Sequence, residues 1–284
     1  MSDGQAFVPD LGPLPPSPSE RKRLIALRVA VAFMAIVTLL SAYMHYSRSG
    51  ARNDAGGPRQ YRYEKRVAPN GVVLHTIRTT PDNVSLQAID SNVTHTPFMG
   101  VNGGFFWEGS LLSVAVMDGK PLKGEPGDYG SGWYNTGVNG HLARGTLVWD
   151  EASRRFSVQA VTHAGELAVS DKAHYWAQGG VSMKLGEASG WERAMIEEEM
   201  PAYDEPRMRT GLVYDRAQNV YMIVTPTRCT AEQFRSAIMD LYGQGDRLVD
   251  GVYLDGDGSS QLRSREATLP GDRREVYQML ALKR

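Results

Sequence analysis

The run Leu254-Asp255-Gly256-Asp257-Gly258-Ser259-Ser260 sets two carboxylates and two hydroxyls among glycines, directly after the alternating apolar stretch Val249 to Leu254. Gly256 and Gly258 can adopt positive φ, so the backbone can turn sharply and aim its N–H groups at one point. Carboxylates beside exposed amides and hydroxyls suit acid–base work on a sugar or phosphate, or the binding of a hard cation. A polar β-turn uses the same residue types, so the motif gains weight from its companions. In Gly100-Val101-Asn102-Gly103-Gly104-Phe105-Phe106 an apolar strand end breaks into Asn102, Gly103 and Gly104. The glycines allow close approach of a ligand, and the Asn amide can both donate to and accept from a sugar hydroxyl. An Asn-Gly hairpin turn would look the same. In Pro206-Arg207-Met208-Arg209-Thr210-Gly211 an arginine opens a strand. A guanidinium can grip phosphate through two parallel N–H bonds, a geometry that lysine lacks; exposed arginines are otherwise ordinary solvated charges. His75 and His95 are further acid–base candidates, although a lone histidine is commonly structural.

Taken together, in this order and spacing, these segments resemble the phosphodiester glycosidase family. The matching residues are Asn102 to Phe106, then Gln178-Gly179-Gly180-Val181-Ser182, then Arg209-Thr210, then Leu254 to Ser260, and the resemblance covers most of residues 67–265. Two departures stand out. Asp257 occupies the middle glycine position of the last motif, and Thr225-Pro226-Thr227-Arg228 replaces an expected Asp-Gly-Arg.

The resemblance implies hydrolysis of the bond between a sugar's anomeric carbon and a phosphodiester. Asp255 is then the candidate base or nucleophile, Arg209 the group that stabilises the leaving phosphate, and Asp257 a second carboxylate of the kind that glycosidases pair. Asn102, Gly103, Gly104, Ser259, Ser260 and His75 are the candidate substrate-binding residues. No cofactor is expected and no metal ligand is assigned, with a divalent cation at Asp255 and Asp257 left open. Asp255, Asp257, Ser259 and Glu266 do fall at calcium-loop spacing, but Ser260 holds the turn position that needs glycine, and a strand precedes the loop. The rival from another class is a non-catalytic glycopolymer-binding module on the outer face of a membrane, stacking sugars on Trp107, Trp133 and Tyr134.

Strands must position most of these residues. Val72 to Ile77 and Val84 to Ile89 are β-rich runs split by Pro81-Asp82-Asn83. Thr146–Trp149 with Phe156–Val161, and Thr210–Tyr214 with Val220–Val224, read as hairpins. Thr230 with Gln233 forms a capping box that starts a helix carrying Phe234, Ile238, Leu241 and Tyr242 at helical spacing. Trp191 to Met200 is a weaker helix candidate. With no regular βαβ alternation, the expected class is α+β: a mixed, strand-rich single domain after an N-terminal transmembrane helix.

The chain has 284 residues and a formal net charge of −1, which gives no electrostatic case for nucleic acid. A single cysteine, Cys229, excludes an internal disulfide, and its setting between a strand and a helix suits a buried inert thiol. Residues 1–23 read as a disordered tail ending in Arg21, Lys22 and Arg23. Residues 24–46 are apolar enough to cross a bilayer, and the preceding cations put the tail in the cytoplasm. Residues 47–60 read as a linker and 61–284 as the exported phosphodiester glycosidase-like domain, giving a single-pass cell-membrane protein held in the lipid bilayer by residues 24–46. Asn83-Val84-Ser85 and Asn92-Val93-Thr94 match the glycosylation pattern, which matters only in a eukaryotic secretory path; chance occurrence is the easier account.

Overall fold

Alternation along the strands decides which residues face which core. In Val220–Cys229, Val220, Met222 and Val224 enter one apolar cluster while Tyr221 and Ile223 enter another, as the period of two requires. The same division separates Leu212 and Tyr214 from Val213. One face of this sheet therefore meets other sheets, and the opposite face is covered by a helix. In this computed structural model, residues 60–284 are described except 188 and 246. They belong to a unit spanning Ala55–Arg284; the other unit, Met1–Asp54, lies outside the described residues.

The first sheet has six strands in the order β1 (Arg62–Val67), β2 (Val73–Thr79), β16 (Val220–Cys229), β15 (Arg207–Asp215), β17 (Leu248–Tyr253) and β14 (Val181–Ser182). The second has five: β12 (Arg155–Val161), β11 (Arg144–Asp150), β13 (Tyr175–Gly179), β7 (Ala115–Met117) and β8 (Lys120–Pro121). The third runs β19 (Thr268–Leu269), β18 (Leu262–Arg263), β4 (Gly100–Asn102), β20 (Val276–Leu282) and β3 (Val84–Ser91). Short hairpins pair β5 (Phe106–Trp107) with β6 (Ser110–Leu111), and β9 (Thr136–Gly137) with β10 (Gly140–His141). The pairings within the three large sheets are antiparallel. Ile77, Trp149 and Leu280, one from each large sheet, meet in the main core.

Both expected hairpins form, as β11–β12 and β15–β16. Of the two α-helices among the described residues, α1 spans Trp191–Glu197 and α2 spans Ala231–Tyr242. The expected capping box starts α2: the Gln233 N–H donates to Thr230 Oγ1 at 3.2 Å, and the Thr230 N–H donates to Gln233 Oε1 at 3.0 Å. Phe234 and Ile238 bury its apolar face against Tyr221, Ile223 and Tyr253.

The α+β expectation is corrected by this architecture. Three antiparallel sheets carry the fold, and the two short helices do not form a layer of their own. Among the described residues no helix is long and apolar enough to cross a membrane. The expected tail (1–23), span (24–46) and linker (47–60, apart from Gln60) lie outside the described residues. Asn83 and Asn92 of the two sequons are buried, and Asn92 Nδ2 donates to the carbonyls of Pro270 and Arg274.

Candidate active site

Antiparallel pairing brings the start of β15 beside the end of β17. Gly211 is paired with Tyr253, and the Leu254 N–H donates to the Thr210 carbonyl at 2.9 Å. Arg209 and Asp255, 46 positions apart in the sequence, therefore flank the same sheet end. The strand β4, from the third sheet, ends there as well. The Asp255 N–H donates to the Gly103 carbonyl at 3.2 Å, and Asn102 Nδ2 donates to the Asp255 carbonyl at 2.9 Å.

These contacts bound a cleft of about 250 Å³, lined by Phe105, Met200, Pro201, Ala202, Arg207, Arg209, Leu254, Asp255, Gly256, Asp257 and Arg274. Its Met200–Ala202 wall follows α1 and is fixed by buried hydrogen bonds. Arg144 Nε and Nη2 donate to the Glu198 and Glu199 carbonyls, while the Glu198 carboxylate accepts the N–H groups of Gly145 and Ser182. A larger cleft of about 740 Å³ lies between Leu185–Glu187, Trp191 and α2. It holds none of the candidate residues, and its Arg235 is engaged with the carbonyls of Met183, Lys184 and Glu187. Chemistry, not size, selects the smaller cleft.

Within it, Asp255 is part-buried, and removal from water pushes its carboxyl up from 3.8 to about 6. The neighbouring Ser259 hydroxyl, the Gly256 N–H (2.9 Å to Oδ1) and the Arg274 charge pull weakly the other way. The Ser259 hydroxyl lies close to Asp255 without forming a well-aligned bond. Ser259 Oγ and Ser260 Oγ are both buried and lack a hydrogen-bond partner within the protein. A carboxyl near 6 exchanges protons close to neutrality, which suits general acid–base work.

Arg209 is almost fully buried, and the loss of water lowers its pKa. Its Nε donates to the Cys229 carbonyl at 3.1 Å, and its Nη2 donates to the carbonyls of Ala202 and Glu205. All three partners are neutral. Arg209 thus keeps its full charge at the cleft wall with no carboxylate paired to it. Arg207 differs: Nε and Nη2 bind Glu205, and Nη1 binds Asp257 at 3.0 Å. Arg274 is held by Asp272 through Nε and Nη2, which raises the arginine and lowers the aspartate.

The remaining candidates divide into those that shape the site and those that sit elsewhere. Asn102 is buried. Its Oδ1 accepts Thr210 Oγ1 at 2.9 Å and the Gln261 N–H at 3.0 Å, and its Nδ2 also donates to the Gly103 carbonyl. Its amide ties the strand ends to the Asp255 loop. A Cβ on Gly103 would collide with the Gln278 side chain, and one on Gly104 would come within 2.5 Å of Ser113 Cβ and 2.8 Å of Gln178 Nε2. The close approach that those glycines permit is to a buried Gln178–Gln278 pair. His75 lies on β2, paired with Val224 of the neighbouring strand, and is absent from the cleft lining. Its Nδ1 meets the Tyr63 hydroxyl at 2.7 Å, and burial lowers its pKa. Trp133 and Tyr134 stack on His163 and His141, while Trp107 is exposed. Glu266 accepts the Tyr61 hydroxyl at 2.9 Å, and among the described residues no group of three or more His, Cys, Asp or Glu side chains could hold a metal ion.

Arg274 and Asp272 were not foreseen, because Asp272-Arg273-Arg274-Glu275 reads as an ordinary charged loop. The one local signal is Gly258, whose missing Cβ leaves room for the Asp272 carboxylate.

No family model matches this chain. No curated protein matches it either. Among solved structures, a hypothetical protein from Synechocystis is 12% identical over 82% of this chain and 65% of that one, with a TM-score of 0.44. The catalytic domain of zebrafish N-acetylglucosamine-1-phosphodiester alpha-N-acetylglucosaminidase, auto-inhibited by its pro-peptide, is 13% identical over 83% of this chain and 87% of that domain, with a TM-score of 0.51. At that identity the likeness is one of fold: this chain shares, distantly, the architecture of a glycosidase catalytic domain.

Proposed function

We propose that this protein is a hydrolase that cleaves the sugar–phosphate bond of a glycosyl-1-phosphodiester. One observation carries the reading: a carboxyl held near neutrality, Asp255, shares a small cleft with Arg209, a guanidinium that has no carboxylate partner. The distant glycosidase fold supports the same direction.

In the reaction, the bond from the anomeric carbon to the phosphate oxygen breaks and an oxygen from water ends on that carbon. Asp255 acts ionised, taking the proton of the attacking water or attacking the carbon itself before water releases the sugar. The phosphate departs as a monoester that carries one more negative charge than the diester did. Such a leaving group needs charge stabilisation more than a proton, and a guanidinium in a site poor in water supplies it. At about 250 Å³, the cleft is smaller than the roughly 300–1,000 Å³ of drug-sized ligand sites. It suits one sugar ring with its phosphate, leaving the rest of the substrate outside.

The test uses a synthetic methyl glycosyl-1-phosphodiester and an aryl glycoside of the same sugar. The protein should release free sugar from the first much faster than from the second, and Asp255→Asn should abolish that release. Turnover of neither substrate, or an Asp255→Asn protein as active as its parent, would end this reading.

A further inference from the structure

Asp257 stands at φ +49°, in the left-handed region that favours glycine and that Asp and Asn tolerate best among other residues. Its carboxylate is directed at arginines. One oxygen lies 3.0 Å from Arg207 Nη1 and the other 3.8 Å from Arg228 Nη1. Arg207 is thereby met by two carboxylates, Glu205 and Asp257, and Arg274 is met by Asp272. Of the three arginines lining the cleft, only Arg209 is left with neutral partners alone.

We propose that Asp257 sets the charge that the cleft accepts, admitting a phosphodiester monoanion and disfavouring a phosphomonoester dianion. This inference rests on the reading of the cleft as a site that hydrolyses glycosyl phosphodiesters at the anomeric carbon. A phosphodiester carries one negative charge, whereas a monoester carries close to two near pH 8, because its second pKa is about 6. A fixed carboxylate in the cleft wall repels the second more than the first. The monoester is also the reaction's product, so the same residue speeds release and limits product inhibition. Asp257 and Arg207 are each about one-third exposed, at 37% and 34%, so a ligand can reach them and water screens the interaction in part. One unit charge at about 6 Å, under an effective dielectric between protein and water, changes the relative affinity of dianion and monoanion on the order of tenfold.

The experiment compares methyl phosphate and dimethyl phosphate as inhibitors of glycosyl phosphodiester hydrolysis near pH 8, in the parent, Asp257→Asn and Asp257→Gly. Asn keeps the backbone tolerance without the charge, and Gly removes the side chain at a position suited to it. Both variants should strengthen inhibition by methyl phosphate about tenfold more than inhibition by dimethyl phosphate, while still hydrolysing the diester. Added salt should shrink the difference. An unchanged ratio of the two inhibition constants would overturn the inference. So would a hundredfold or greater loss of diester turnover in both variants, which would put Asp257 in the bond-breaking chemistry. A parent protein that hydrolyses no glycosyl phosphodiester would instead remove the reading on which the inference stands.

Discussion

Replacing Asp255 with Asn should make the protein inactive and, at alkaline pH, more stable. The folded-state pKa of about 6 lies above the ordinary value of 3.8. Below 3.8 the carboxyl is protonated whether the chain is folded or not, and its burial has no charge to penalise. Between 3.8 and about 6 the folded state holds the proton more tightly than the unfolded state, so stability falls as pH rises. Above about 6 the ionised carboxylate remains in a poorly solvated cleft and the full penalty persists. A shift of about two units corresponds to a ceiling of about 3 kcal/mol, and partial exposure of the side chain lowers the working range to about 1–3 kcal/mol. Asn has the same shape, still accepts the Gly256 N–H, and never ionises. Thermal melts of parent and variant should therefore coincide near pH 3 and separate by several degrees near pH 8, at about 2–4 °C per kcal/mol for a domain of this size. A variant that melts lower than its parent near pH 8, or a difference independent of pH, would refute the claim that this carboxyl is strained by burial.

The same carboxyl sets a pH–rate expectation: kcat/KM for a glycosyl phosphodiester should rise through about pH 6 and then level, since Asp255 acts ionised; a profile that falls over that interval would make it the acid instead. Arg209→Lys should lose on the order of tenfold to a thousandfold in kcat/KM on the phosphodiester, by analogy with the removal of one oxyanion donor. The aryl glycoside should suffer much less, and because Arg209 also binds three carbonyls, urea titration should show a common stability loss of about 1–3 kcal/mol. Equal activity losses on both substrates would confine Arg209 to holding the fold. Gly104→Ala should destabilise by about 1–3 kcal/mol in the same titration, because its Cβ meets Ser113 and Gln178. The Cys229 thiol, buried and pushed up to about 11, should resist a thiol reagent near pH 8 until the protein is unfolded.

What the sequence revealed of this site was the part written in glycines and polar residues. Asn102-Gly103-Gly104 and the Asp255 loop stand out as polar and glycine-rich breaks after apolar runs, and the structure joins them directly through the Asp255 N–H and the Asn102 amide. The purpose of the glycines could not be read the same way. Gly103 and Gly104 make room for Gln278 and Gln178, a contact between residues 100 positions apart, and local pattern carries no trace of such a pairing. Arg274 was hidden for a related reason: in a loop without periodicity, nothing distinguishes an arginine that lines a cleft from one in solvent. The α+β expectation rests on helix candidates mixed among strands without βαβ alternation; it underweights the sheets because strands of two or three residues, such as β4, β14 and β18, are too short for alternation to register. The long hairpins β11–β12 and β15–β16 were legible because β-branched and aromatic runs flank a polar turn in each, and the strands are seven to ten residues long.

The central claim concerns which bond breaks, and heavy-oxygen water reports that directly. When a methyl glycosyl-1-phosphodiester is hydrolysed in water enriched in the heavy isotope, attack at the anomeric carbon should leave the released methyl phosphate unlabelled, as read by mass spectrometry, with the label carried by the sugar. Label appearing in the phosphate would place the attack at phosphorus, and the assignment of Asp255 to the anomeric carbon would be wrong.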